Sequence, residues 1–207
     1  MANWITLARL PLLIGVVLLL YVDVPQVHIA TAPLVLILIF MDTLDGVVAR
    51  RRHEVGMLGS KLDIGVDRIV ELVLWIVYAH LDLIPVAIPV IFVIRGGLVD
   101  TVRSFSLVWG ETSFGMMRTK WGRRLVASGP MRSLYGVSKA VAFCLLALAL
   151  GLRGLQAGGA EAVWVVAVVA SWIATAICIL RGAPVLLEAR TLLRDLDARV
   201  ARQAPPS

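Results

Sequence analysis

Residues 41–50 read MDTLDGVVAR and residues 59–67 read GSKLDIGVD, so Asp42, Asp45, Asp63 and Asp67 stand at the ends of two otherwise apolar runs. One charged side chain at the centre of a bilayer costs about 2.5–3.5 kcal/mol on insertion scales. Even discounted for a position near the interface, four without purpose would be hard to tolerate. Their spacing states the purpose. Asp42 and Asp45 are three apart and Asp63 and Asp67 four apart, so each pair shares one face of a helix. Two helices joined by a short basic loop can present these pairs to each other. Facing anions repel unless cations lie between them. Oxygen ligands with no His or Cys in the pattern favour Mg2+ or Mn2+ over zinc. Two such ions bridged by carboxylates can clamp a pyrophosphate during displacement.

The residues between the aspartates fit that reading. Gly46 follows Asp45, Ala49 comes four residues after it, and Gly59 precedes Asp63 by four. Small side chains at these places leave the helix surface bare for a close neighbour or a flat ligand. Arg50, one turn beyond Gly46, can reach back to a phosphate or to an aspartate. A plainer alternative makes the aspartates helix caps, or partners of Arg50, Arg51, Arg52 and Lys61 in an interfacial network. That would suit a single aspartate near a helix end better than four at these spacings.

The rest of the chain reads as membrane protein. Of its 207 residues 59% are apolar and 16% charged, against about 45–50% and about 25% in soluble domains. The net charge of +6 gathers in loops and a tail between apolar runs, which suits anionic lipid headgroups and argues against nucleic acid. Six runs approach the length of a span: roughly 8–22, 29–49, 60–80, 84–108, 134–152 and 161–181. Arg50, Arg51, Arg52 and Lys61 flank one junction, and Arg118, Lys120, Arg123, Arg124 and Arg132 another. Arg181, Arg190, Arg194, Arg199 and Arg202 follow the last run, whereas the opposite loops offer only Arg153. The positive-inside rule then puts both termini in the cytoplasm. The first run has no Ala-x-Ala-like cleavage site after it and is expected to be a retained helix. The expected fold is all-α and integral to the membrane. It has six transmembrane helices, an N-terminal interfacial segment, a catalytic domain over residues 1–183, and an amphipathic cytoplasmic tail over 184–207.

Asp42, Asp45, Gly46, Ala49, Arg50, Gly59, Asp63 and Asp67 together form Asp-x2-Asp-Gly-x2-Ala-Arg-x8-Gly-x3-Asp-x3-Asp. In this the chain resembles the CDP-alcohol phosphotransferases, whose signature it matches without gap or substitution. The resemblance implies that the four aspartates hold two metal ions, which bind the pyrophosphate of a CDP-linked donor such as CDP-diacylglycerol. It implies that Gly46, Ala49, Arg50 and Gly59 receive the cytidine and its phosphates. Asp67 is implied as the base that takes the acceptor's proton, with CMP released. It further implies phospholipid synthesis, a homodimer in the inner membrane, and a site at the cytoplasmic face.

The acceptor is read from span four. Arg95 and Arg103 stand eight residues apart and can face one interior, while Asp100 and Arg103 are three apart and can neutralise each other. Arginine suits an acceptor phosphate, and Arg132 and Lys139 can complete such a pocket. Three features resemble the phosphatidylglycerophosphate synthase branch. They are Asn3-x2-Thr6-x2-Arg9, the arginine pair, and Tyr135-Gly136-Val137-Ser138-Lys139, although Val137 and Ala140 replace that branch's Lys and Thr. Glycerol 3-phosphate is thus the favoured acceptor, with inositol phosphate or phosphatidylglycerol as alternatives. Of other classes, a cation transporter would carry its acidic groups near mid-membrane in two related halves, and no second half echoes these. A non-catalytic scaffold would not need the complete aspartate set.

Overall fold

Six helices follow one another along the described chain: α1 (Ala2–Leu20), α2 (Pro25–Arg51), α3 (Met57–His80), α4 (Ala87–Val108), α5 (Gly129–Gly154) and α6 (Ala160–Gln203). The structure is a computed structural model. It describes the backbone of residues 2–51, 57–108 and 128–203, and side chains over 6–41, 62–102 and 128–187. No strand occurs among the described residues. Each helix covers one of the six apolar runs, so the all-helical expectation holds.

Two stretches, Gly129–Gly154 and Ala160–Leu187, are long and apolar enough to cross a membrane; Thr6–Leu20 and Pro25–Met41 are shorter apolar stretches. α3 and α4 have comparable length, 24 and 22 residues. Charged residues dilute their apolarity: Lys61, Asp63, Asp67, Arg68 and Glu71 on α3, and Arg95, Asp100 and Arg103 on α4. The segment expected as a tail is not a separate helix. It continues α6, which runs on through Pro184.

The packing divides the chain into two units. The first comprises Met1–Val90 and Val137–Ala174. Within it α1 packs on α2 and α3, and Thr6, Arg9, Leu13, Val16 and Leu20 form its buried stripe at helical spacing. Against lipid such a stripe gains little from hydrophobic transfer, so close packing and buried hydrogen bonds must hold the helices. The ring of Phe143 lies 4.5 Å from that of Trp75, and the Tyr78 hydroxyl donates to the Phe143 carbonyl at 2.9 Å. Trp164 Nε1 donates to the Leu83 carbonyl at 3.0 Å. Gly151 permits the closest approach: a Cβ there would stand 2.6 Å from Ile29 Cγ1 and 2.9 Å from the Pro25 carbonyl oxygen.

The turns of this unit close by backbone chemistry. After α3, Leu83 N–H donates to the Tyr78 carbonyl and Asp82 N–H to that of Ala79, a Schellman closure with Asp82 left-handed at φ 55°. After α5, Ala157 and Gln156 repeat it onto Leu152 and Arg153, with Gln156 at φ 51°. The second unit comprises Ile91–Gly136 and Thr175–Ser207. Val99 and Val185 are its buried apolar contact, flanked by Val102 and Leu186.

Candidate active site

In the first unit the charges of α3 share a face because Asp63, Asp67 and Glu71 recur every four residues. α1 brings Arg9 to that face from its buried stripe. The guanidinium reaches Asp63 Oδ1 at 3.8 Å and Asp67 Oδ1 at 3.5 Å. Arg9 is 1% exposed, while the two carboxylates are 38% and 47% exposed. The cation is therefore closed in, and the anions keep an open side.

One turn further on, Glu71 is 4% exposed, with Oε1 at 3.0 Å from Lys139 Nζ and Oε2 at 3.0 Å from Arg68 Nη1. Both of its oxygens are taken by cations. Glu71 thus ties α3 to α5, while Asp63 and Asp67 remain able to bind something else.

Hard carboxylate oxygens with an open side fit a divalent ion such as Mg2+ or Mn2+. Asp63 and Asp67 are half of the expected set. Asp42 and Asp45 belong to α2, and their side chains, with those of Ala49 and Arg50, lie outside the described residues, as do the surroundings of Gly46 and Gly59. Among the described residues no three of His, Cys, Asp and Glu gather into a metal-holding group.

The second unit gathers cations instead. Arg181 lies over the ring of Tyr135, 5.0 Å from its centroid, and donates from Nη1 to the Met131 carbonyl at 3.2 Å. Arg95 lies 5.9 Å from the same centroid. Gly182 makes room for it: a Cβ there would stand 2.8 Å from Arg95 Cγ and 3.0 Å from its Nε. Both distances from the ring are within cation–π range. Two guanidiniums collected on one ring favour an anion that can bridge them.

The four residues expected to hold the acceptor are described one by one. Arg95 joins Tyr135 and Arg181, Arg132 is exposed in the first turn of α5, and the side chain of Arg103 lies outside the described residues. Lys139 is held by Glu71 in the first unit.

Three residues hold places in their own units that sequence reasoning had not given them. Arg9 was visible only as part of an N-terminal pattern. Glu71 had a usable signal, because it extends the four-residue row of Asp63 and Asp67 into an apolar stretch where a stray charge is costly. Arg181 looked like a loop cation after the last span, but it is buried at 8% exposure.

A family model described as CDP-alcohol phosphatidyltransferase matches residues 1–180 of the chain. No curated protein matches it.

Proposed function

The chain belongs to the CDP-alcohol phosphatidyltransferase family, and from that premise we propose that it moves the phosphatidyl group of CDP-diacylglycerol onto a phosphorylated alcohol, with release of CMP. Glycerol 3-phosphate, giving phosphatidylglycerophosphate, is the acceptor we favour. The observation that carries the reading is the open carboxylate pair Asp63 and Asp67, fixed from one side by a buried arginine.

In this reading Asp42, Asp45, Asp63 and Asp67 hold two divalent cations, Mg2+ or Mn2+, which when bound supply positive charge to the donor's diphosphate oxygens. Gly46, Ala49 and Gly59 offer bare helix surface to the cytidine and phosphates, and Arg50 adds a guanidinium to them. Asp67 takes the acceptor's hydroxyl proton as that oxygen attacks the lipid-bearing phosphorus. The bond from this phosphorus to the bridging oxygen breaks, and CMP leaves with the electron pair. Asp67 suits the task because about half of the side chain is open to an incoming hydroxyl. A carboxylate is a weak base for an alcohol, so proton removal must accompany attack and not precede it.

Arg95 and Arg181 bind the acceptor's phosphate, a role for which a guanidinium is suited by its permanent charge and its fork of donors. Arg103 and Arg132 remain candidates beside them. Lys139, which pairs with Glu71, is a further residue of this group. The site opens at the cytoplasmic face of the inner membrane, on the side of the basic loops.

The test is CMP release from CDP-diacylglycerol by the purified protein with Mg2+ or Mn2+. The acceptor panel holds glycerol 3-phosphate, inositol 1-phosphate, inositol, serine and phosphatidylglycerol. Turnover confined to glycerol 3-phosphate is expected. Turnover with inositol 1-phosphate alone would keep the mechanism and change the product, and turnover only with uncharged alcohols would remove the role given to Arg95 and Arg181.

A further inference from the structure

Arg9 has a place in the carboxylate site to which the proposed reaction gives no role. It belongs to the buried stripe of α1 with Thr6, Leu13, Val16 and Leu20, so its guanidinium cannot swing out to solvent. From there it stands within 4 Å of Asp63 Oδ1 and Asp67 Oδ1. Its own burial shields this cation from solvent, so its field on the half-open carboxylates is only partly screened.

We propose that Arg9 is a built-in countercharge of the metal site, a positioning residue that lowers affinity for the metal ions and raises affinity for the anionic donor. The inference rests on the proposed metal-binding role of the aspartates. Its logic is a count of charge. Four aspartates carry four negative charges, and two divalent ions would cancel them, so the site's pull on a diphosphate depends on the fixed cations of the proposed site, Arg50 and Arg9. Arg9 adds one positive charge to the same loaded site. The cost appears at the metal step, because a fixed cation beside two ligand oxygens repels the incoming ion. The gain appears at the donor step, where the excess charge attracts the diphosphate.

The two effects have opposite signs, and this makes the idea testable. Loss of Arg9 through general damage would weaken binding of both ligands. Loss of a countercharge strengthens one and weakens the other.

The experiment uses the full chain purified in detergent. Free Mn2+ is counted by electron paramagnetic resonance during titration with Mn2+ alone. Binding of cytidine 5′-diphosphate, as the diphosphate probe, is then measured at saturating Mn2+. Arg9→Gln is expected to bind Mn2+ about five- to tenfold more tightly and the diphosphate about five- to tenfold more weakly, as expected for one nearby charge partly screened. Arg9→Lys, which keeps the charge, should stay within about twofold of the unaltered protein for both.

Weaker binding of both ligands by Arg9→Gln, or no change in either, would overturn the proposal while leaving the metal-binding reading intact. Failure of the unaltered protein to bind Mn2+ in an Asp67-dependent way would overturn both. If Arg9→Gln does not fold in chelator, Mn2+ should restore it by supplying the missing positive charge, and Na+ at equal ionic strength should not. A variant that Mn2+ cannot rescue would also overturn the proposal.

Discussion

In the first unit a closed-in cation, Arg9, faces carboxylates that keep an open side; in the second, Arg181 and Arg95 share the ring of Tyr135. In the first unit three acids alternate with three cations and two of the acids stay partly open, whereas the second collects two guanidiniums on one ring. Under the proposed function the partly open carboxylates on α3 take cations and the guanidiniums on Tyr135 take an anion. The comparison also separates open charges from closed ones. Glu71 lies on the same face as Asp63 and Asp67, yet both its oxygens are engaged by Lys139 and Arg68, so it holds helices together and takes no ligand.

The largest effect is expected from Asp67→Asn. The amide keeps the size and can still accept from Arg9, but it cannot take a proton and is a poor ligand for a hard cation. CMP release should fall by roughly a thousandfold or more, the scale of losing a general base together with a charge contact. Thermal unfolding in detergent should change little. Activity near that of the unaltered protein would break the assignment of α3 as the reacting side.

Glu71→Gln should behave in the opposite way. It leaves Lys139 and Arg68 facing a neutral amide in a closed place. Removing one partner of a buried ion pair costs about 3–5 kcal/mol, so the midpoint of thermal unfolding should drop by several degrees. The folded fraction should keep its Mn2+ requirement and its affinity for the acceptor. A shifted Mn2+ requirement with unaltered stability would move Glu71 into the metal site and dissolve the distinction between open and closed carboxylates.

Arg181→Gln tests the other unit. Loss of one of two guanidiniums on a phosphate should raise the acceptor KM about ten- to a hundredfold, the worth of a charge-assisted contact. The Mn2+ requirement and the donor KM should stay as they are. A change confined to the donor would place the anion site on the wrong substrate.

The residues of the two units were unequally legible in the sequence. The helices could be read because a long apolar run is a strong signal; each of the six runs lies largely in a helix, although the last helix continues past the expected 161–181 as far as Gln203. The aspartates could be read because four charges at helical spacings inside apolar runs are too costly to keep without a ligand to hold. Glu71 was legible in principle, by the same spacing. Arg9 and Arg181 were not, since the partner of each stands far along the chain: 58 residues separate Arg9 from Asp67, and 50 separate Arg181 from Met131. A single charge near a span end also satisfies the positive-inside rule, which hid Arg181. The pairing of Lys139 with Glu71 was likewise not legible, since 68 residues separate them along the chain.

The smallest effect, and the one that sharpens the comparison most, comes from Tyr135. Its ring face carries a partial negative charge, so it lowers the cost of bringing Arg95 and Arg181 together, by about 0.5–2 kcal/mol for desolvated pairs. Tyr135→Phe keeps that face and should leave the acceptor KM within about twofold. Tyr135→Leu keeps the apolar volume but removes the quadrupole, so the two guanidiniums lose their common support and the acceptor KM should rise about three- to tenfold. If Phe and Leu are equivalent, the ring serves only to fill space. If Phe is as damaging as Leu, the hydroxyl and not the ring face orders the site. Only a difference between Leu and Phe, with metal dependence unchanged in both, supports an aromatic platform that gathers positive charge as the row on α3 gathers negative.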